Sequence, residues 1–291
     1  MRTARVMHKN KVWIGLVDTE SSEVQLLFEQ QDGRDAAIDF IEENMGSASS
    51  TSGQPVVHFD DVSFLPPIEK PSKNIICVGK NYTEHAKEFT GSGYDSSASD
   101  ANDVIPTAPI MFSKAPCTMV GAYDDVQVPW ELSREIDYEA ELGVIIGRAG
   151  RSIPEDDAYN HVFGYTIIND VTARDLQSHH KQWLLGKSID TFCPIGPWIV
   201  SADELNPENL DLKCWVNGEL RQNANTRDLI FDIPNIISTV SASMTLSPGD
   251  IIATGTPVGV GIGFKPPKFL KSGDVVKIEI SNIGIIENTI V

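Results

Sequence analysis

The stretch DYEAELGVIIG, Asp137 to Gly147, carries two patterns at once. On an extended strand alternate side chains share a face, so Glu139 and Glu141 point one way while Tyr138, Ala140 and Leu142 point the other. The second half, GVII, is apolar on both faces, which sends the strand into a core. Acidic side chains seldom travel there without partners. Two carboxylates set this close also raise each other's pKa unless a cation lies between them. The same alternation suits a solvated strand edge, and on this stretch alone both readings stand.

Outward from it, short apolar segments recur between turn signals from Pro109 onward: PIMFSK, DVQVPW, VFGYTIIND, GPWIVS, LKCWVNG, DIIATG and VVKIEIS. This rhythm predicts a β-rich domain of the α+β class with few helices. Helices are expected at EDDAYNHV, ARDLQSHHKQWL and IPNIISTVSASM, the last opening on a proline as helix starts often do. Toward the N-terminus VWIGLVD and EVQLLFE read as strands, DAAIDFIEEN as a short helix and GSASSTSGQP as a loop. The proline-rich PPIEKPSKN reads as a connector. The 291 residues therefore divide into a small N-terminal α/β domain over residues 1–70 and a larger domain over 71–291.

After the connector, NIICVGKNY reads as a buried strand ending in a glycine turn, and TEHAKEF as a helix. His85 and Glu88 then lie three apart on one helical face, a spacing that by itself favours a surface ion pair over a proton-handling pair. The following GSGYDSSASDAND is almost devoid of apolar groups and cannot bury enough surface to order itself, so it is expected to be mobile. A helix followed by such a segment has the makings of a lid, and an ordinary surface insertion fits as well.

Composition narrows the function classes. Forty-one acidic against 23 basic residues give a net charge of −18, which repels phosphate backbones and anionic membranes and excludes nucleic acid as a partner. An anionic substrate would need a locally positive site inside that envelope, which a divalent cation would supply. Cys77, Cys117, Cys193 and Cys214 are widely spaced without a CxxC pair, so reduced thiols are expected. The first residues hold no apolar run that could serve as a signal core, and no stretch approaches about 18 apolar residues. A soluble, cytoplasmic protein is the expectation.

The apolar strand VFGYTIIND ends in Asp170, with Arg174 and Asp175 just beyond. Glu139, Glu141 and Asp170, with no nearby His or Cys pattern, form a hard oxygen site suited to Mg²⁺ or Mn²⁺ rather than Zn²⁺. Asp175 more naturally pairs near its own helix start. The GKS in LLGKSIDT is not a phosphate loop, because Lys181 stands where the motif needs glycine. Lys187 remains as a buried-looking cation, with a structural salt bridge as the alternative. TGTPVGVGIGF lacks the dinucleotide spacing, but a tight turn at Gly255 can aim backbone N–H groups and the Thr256 hydroxyl at an anion. His179 and His180 should face solvent.

Together the stretches CVGKNYTEHAKEF, PIMFSKAP, DYEAELGVIIG, YTIINDVTARDLQ, LLGKSIDTFCPIGPW, VNGELRQ and GDIIATGTPVGVG resemble the fumarylacetoacetate hydrolase family, in order, from about Pro71 to Val291. The finer stretches RDLQSHHKQWLLGKS and GFKPPKFLKSGD are most similar to the branch of bacterial oxaloacetate decarboxylases and fumarylpyruvate hydrolases. The resemblance implies a β-rich roll of mixed sheets and a homodimer. It implies a metal held by Glu139, Glu141 and Asp170, and a catalytic dyad of His85 and Glu88 on a lid helix. It further implies that Lys187, with a catalytic role as well, and Lys114, Arg174, Gln177, Gly255 and Thr256 surround the substrate.

Such a site suits a short 2-oxo acid, whose cleavage at C3 leaves a pyruvate enolate that a metal stabilises. Oxaloacetate decarboxylation is the first expectation and acylpyruvate hydrolysis of the fumarylpyruvate type the second. A hydroxymuconate-type isomerase uses the same enolate. A non-catalytic ligand-binding protein is the reading from a different class.

Overall fold

The computed structural model describes residues 1–31, 35–45, 53–95 and 104–291. Much of the polar segment after the expected lid helix, residues 96–103, lies outside them, as does 46–52 of the expected N-terminal loop.

The N-terminal segment supplies β1 (Arg2–His8), β2 (Lys11–Asp18), β3 (Glu23–Glu29), α1 (Ala36–Glu43), β4 (Val56–His58) and β5 (Ser63–Phe64). Asp35 caps α1 by accepting from Ala37 N at 3.1 Å, and the helix buries Phe40 and Ile41. Next come β6 (Ile75–Gly79), α2 (Thr83–Ser92), β7 (Ile110–Lys114), β8 (Met119–Val120), β9 (Ile136–Asp137), β10 (Ala140–Ile146), β11 (Val162–Asn169) and β12 (Thr172–Ala173). The C-terminal part holds α3 (Arg174–His179), α4 (Leu184–Lys187), β13 (Cys193–Ser201), β14 (Asp211–Val216), β15 (Glu219–Asn225), α5 (Ile233–Ser243), β16 (Ile251–Ala253), β17 (Val275–Ile280) and β18 (Gly284–Thr289).

Among the described residues twelve strands form one mixed sheet, in the order β4-β3-β2-β1-β13-β11-β10-β16-β6-β7, with β5 on β1 and β8 on β13. A second sheet of four strands, β15-β14-β17-β18, packs its buried face into the same apolar core. The β-rich α+β class read from the sequence is the fold found. The N-terminal strands are continuous with the large sheet, because β1 pairs antiparallel with β13 through Arg2–Val200 and Thr3–Ile199.

Three local expectations need correction. The segment 125–130 forms no strand: Val126 makes a single parallel bridge to Ile290, and Pro129 has no N–H to extend a ladder. The helix expected over 173–184 breaks where Lys181 takes the left-handed region at φ 59°, leaving α3 and α4. EDDAYNH winds as a 3₁₀ helix rather than an α-helix.

What positions the site is strand polarity. β10 is antiparallel to both β11 and β16, and β16 is parallel to β6. The start of β10 and the ends of β11, β16 and β6 therefore meet at one edge of the sheet. The ladder runs on past the strands there, with Asp170 N donating to Glu139 O at 2.9 Å.

Candidate active site and metal centre

β10 is buried along its whole length, as the GVII run requires, so its acidic approach is buried too. Glu139, Glu141 and Asp170 are 4%, 1% and 0% exposed, and an oxygen from each lies within 4.8 Å of the others. The solvated-edge reading of Glu139 and Glu141 is thereby excluded.

Cations answer most of this charge. Lys187 Nζ lies 2.6 Å from Glu139 Oε2 and 2.7 Å from Asp170 Oδ2, over the Phe112 ring. Arg174 Nη2 is 2.7 Å from Glu139 Oε1, and its Nε is 3.0 Å from Asp137 Oδ2. Burial pushes the Glu139 carboxyl up, but Lys187 and Arg174 outweigh it and hold the pKa at about 2. Glu141 is the exception. It accepts from Gly255 N at 2.8 Å and, among the described residues, forms no ion pair. Burial first, then Asp170 and Glu139, push it well above the ordinary carboxylate range.

Four carboxylates, with Asp137, thus face three cations, Lys114, Arg174 and Lys187, all less than a twentieth exposed. Three buried oxygen donors, one of them without its own cation, fit a hard dication.

His85 is buried and Glu88 partly buried, rather than exposed as a surface pair would be. His85 Nδ1 lies 3.1 Å from Glu88 Oε2, with side chains 5% and 11% exposed. A carboxylate only accepts, so the bond to Glu88 puts a proton on Nδ1, and in the neutral imidazole Nε2 is then the acceptor. Glu88 also accepts from Gly259 N at 3.1 Å.

His85, Glu139, Glu141, Arg174, Gln177, Lys187 and Thr256 line one cavity with about 10 Å³ of free space, room for a single water. The other expected residues stand behind it. Lys114 donates to Asp170 Oδ1 at 2.6 Å, to Val171 O at 3.0 Å and to Lys187 O, which uses all three of its protons as a strut under Asp170. Gly255 braces Glu141 through its N–H. Thr256 Oγ1 accepts from Gln222 Nε2 at 2.8 Å, and Gln177 Oε1 from Arg174 Nη1 at 3.1 Å. Asp175 accepts from Ser133 Oγ at 2.6 Å, away from the cluster, and His179 and His180 face solvent.

Sequence reasoning missed Asp137, which besides Arg174 takes Gly261 N at 2.6 Å and Ile262 N at 3.1 Å, tying the glycine loop to the site. The period of two that pairs Glu139 with Glu141 contains Asp137 as well, so the signal was present. The aromatic wall of Phe89, Phe112 and Trp183 was also missed; Trp183 lies 5.7 Å from Phe89 and 5.1 Å from Phe112 between ring centroids.

Residues 74–291 match the family described as "Fumarylacetoacetate (FAA) hydrolase C-terminal". The chain belongs to the fumarylacetoacetate hydrolase family. Within and around that family, it is 53% identical over 231 residues to the oxaloacetate tautomerase YisK of Bacillus subtilis, covering 79% of this chain and 73% of that protein. A solved fumarylacetoacetate hydrolase from psychrophilic Exiguobacterium antarcticum superposes with a TM-score of 0.84 at 39% identity, covering 100% of this chain and 99% of that one. The maleylpyruvate hydrolase of Sphingobium sp. SYK-6, solved with a manganese(II) ion and pyruvate, gives 0.79 at 33% identity, again over 100% and 99%. Among the described residues of this family member, no helix is long and apolar enough to cross a membrane.

Proposed function

We propose that the protein is a divalent-metal-dependent enzyme that interconverts the keto and enol forms of oxaloacetate. The observation that carries this reading is the convergence of Glu139, Glu141 and Asp170 at the cavity that the two glutamates line together with His85, which pairs with Glu88. Enolate chemistry is common to this reaction and to the decarboxylation expected from the sequence. The tautomerase activity for which the Bacillus relative is named moves tautomerisation to first place and leaves decarboxylation second.

Glu139, Glu141 and Asp170 would hold the ion, Mg²⁺ or Mn²⁺. When bound, the dication supplies Lewis-acid charge that lowers the cost of negative charge on the substrate's carboxylate and keto oxygens. His85 Nε2 takes a proton from C3 while Glu88 steadies the imidazolium. The same proton returned to the C2 oxygen gives the enol, and the reverse order gives the ketone. Arg174, Lys187, Gln177 and Thr256 orient the substrate, and Lys114 positions Asp170 and α4 from behind. Charge supports a dicarboxylate: a dication and a dianion enter together without changing the net charge of a buried site.

The test is stopped-flow conversion of enol to ketone, with CO₂ and pyruvate measured in parallel, in Mg²⁺, in Mn²⁺ and after chelation. Acceleration of the interconversion by the metal-loaded protein is expected. Equal rates with protein and with buffer would overturn the reading, while CO₂ release outpacing interconversion would promote the decarboxylase. We further propose a homodimer of this chain, measured by sedimentation, with residues 1–70 as a structural companion that contributes none of the side chains above.

A further inference from the structure

The reading above needs His85 held over the cavity, yet the helix that carries it has a small apolar grip. Of the ten residues of α2, Ala86 and Phe89 are the buried apolar ones, and a helix of that length is not stable alone in water. The rest of its hold is polar. On one side Glu88 accepts from Gly259 N at 3.1 Å. At the C-terminal end Asp95 Oδ2 receives Thr90 Oγ1 at 2.8 Å and Lys80 Nζ at 3.0 Å, with the two charged side chains 2% and 3% exposed.

Lys80 is rooted in the sheet. Gly79 ends β6 so close under the Trp183 ring that a Cβ there would lie 2.5 Å from it. Asn81 is fixed by Thr254 O at 2.8 Å, by Phe231 O at 3.0 Å and by Phe231 N at 2.8 Å. Between them Lys80 holds the left-handed region at φ 55°, a conformation that is strained for a long side chain and persists only where the surroundings enforce it. Lys80 also borders the same cavity as His85 and Glu139.

We propose that the Lys80–Asp95 ion pair is a latch that keeps α2 closed, with Lys80 a positioning residue acting through His85. A cavity with room for one water admits a 2-oxo acid only when a bordering side chain or the element that carries it moves, and α2 is fastened by contacts that can part. A buried ion pair contributes little net stability compared with apolar packing, because its two charges recover their hydration when they part, so opening it costs less than exposing an apolar face would. The proposal rests on the reading that His85 handles the substrate's proton.

The test compares Lys80→Met and Lys80→Arg, each in the native and the His85→Ala background, by oxaloacetate interconversion with Mn²⁺ and by amide hydrogen exchange over residues 83–92. Lys80→Met should lower kcat about tenfold or more with KM within about threefold, because the acidic floor and Arg174 are untouched. Exchange in α2 should quicken about tenfold. Lys80→Arg should restore most of both. In the His85→Ala background the same substitution should cost less than about twofold, since a residue acting through His85 has nothing left to position. An equal loss in both backgrounds overturns the proposal, as does unchanged exchange. Should Lys80→Met fail to fold, Asp95→Asn carries the same exchange prediction. Exchange needs no substrate, so a native protein inactive on oxaloacetate would sink the proposed reaction while the latch is still decided.

Discussion

Glu139, Glu141 and Asp170 sit where β10 and β11 have hydrogen-bonded neighbours on both sides, and their countercharges Lys187 and Arg174 are 1% exposed. His85 and Glu88 ride on a short helix held by the apolar contacts of Ala86 and Phe89, by a glycine loop and by the Lys80–Asp95 ion pair. The floor is therefore fixed by the sheet and by charge matching that cannot be undone cheaply. The cover is fixed by a few separable contacts. Catalysis of the proposed kind needs both, but damage to each should read out differently.

The largest effect belongs to the floor. Asp170→Ala removes the partner of both Lys114 and Lys187, and stripping one member from a buried ion pair costs about 3–5 kcal/mol. Denaturant unfolding should show that loss, and calorimetry should show metal binding gone. A stability near that of the native protein would mean the floor relaxes as easily as the cover. Next, His85→Ala should lower turnover by about 10²–10⁴-fold, the usual range for a general acid–base group, with metal affinity and melting temperature retained. Turnover equal to the native protein's would remove the dyad from the chemistry.

Gly263→Ala is a finer probe of the cover alone. A Cβ there would lie 1.8 Å from Glu88 Oε1, and the backbone is not in the left-handed region, so the displacement of Glu88 is the main consequence. A fall in kcat of about tenfold is expected, smaller than for His85→Ala because the imidazole itself remains.

The smallest effect is on pH dependence in protein freed of divalent ions. Glu141 has a folded pKa above its unfolded value, so the folded state holds the extra proton. Its contribution is complete below the ordinary value of 4.5 and fades as pH rises toward the raised one. Glu139, held to about 2, does the opposite and contributes above 4.5, losing it as pH falls toward 2. Thermal melts from acid to neutral pH should show both slopes, and Glu141→Gln should remove the decline on the alkaline side.

The two regions were also unequally legible. The floor could be read because a buried strand has a short period: alternation put Glu139 beside Glu141, and the apolar GVII run that follows them matches the buried β10. Parity extended to Asp137 would have found that residue too. The strand β1 went unread because part of its burial comes from β13, far away in the chain, and β18 because the polar Asn288 is buried on it, which breaks any apolar alternation. For the cover, the His85–Glu88 spacing is legible but ambiguous, since three-residue spacing is as common on a wet face as on a buried one. Nothing local distinguishes Lys80 and Asp95 from solvated charges, because their burial depends on how α2 returns to β6. Lys114 was readable as a cation near the site, but its three bonds to Asp170, Val171 and Lys187 depend on tertiary placement.

The pairing of β1 with β13 has a practical side. Trp198 on β13 packs 5.7 Å from Phe64 and 6.0 Å from Phe59, so the first strands shield both its backbone edge and its aromatic face. Trimming the chain to the region that matches the family would bare the Trp198 ring and the β13 margin at Ile199 and Val200, open to pairing with other molecules. Expression of that shortened form should give clumped material, and anyone hoping to move this catalytic unit into another scaffold should carry its leading residues along.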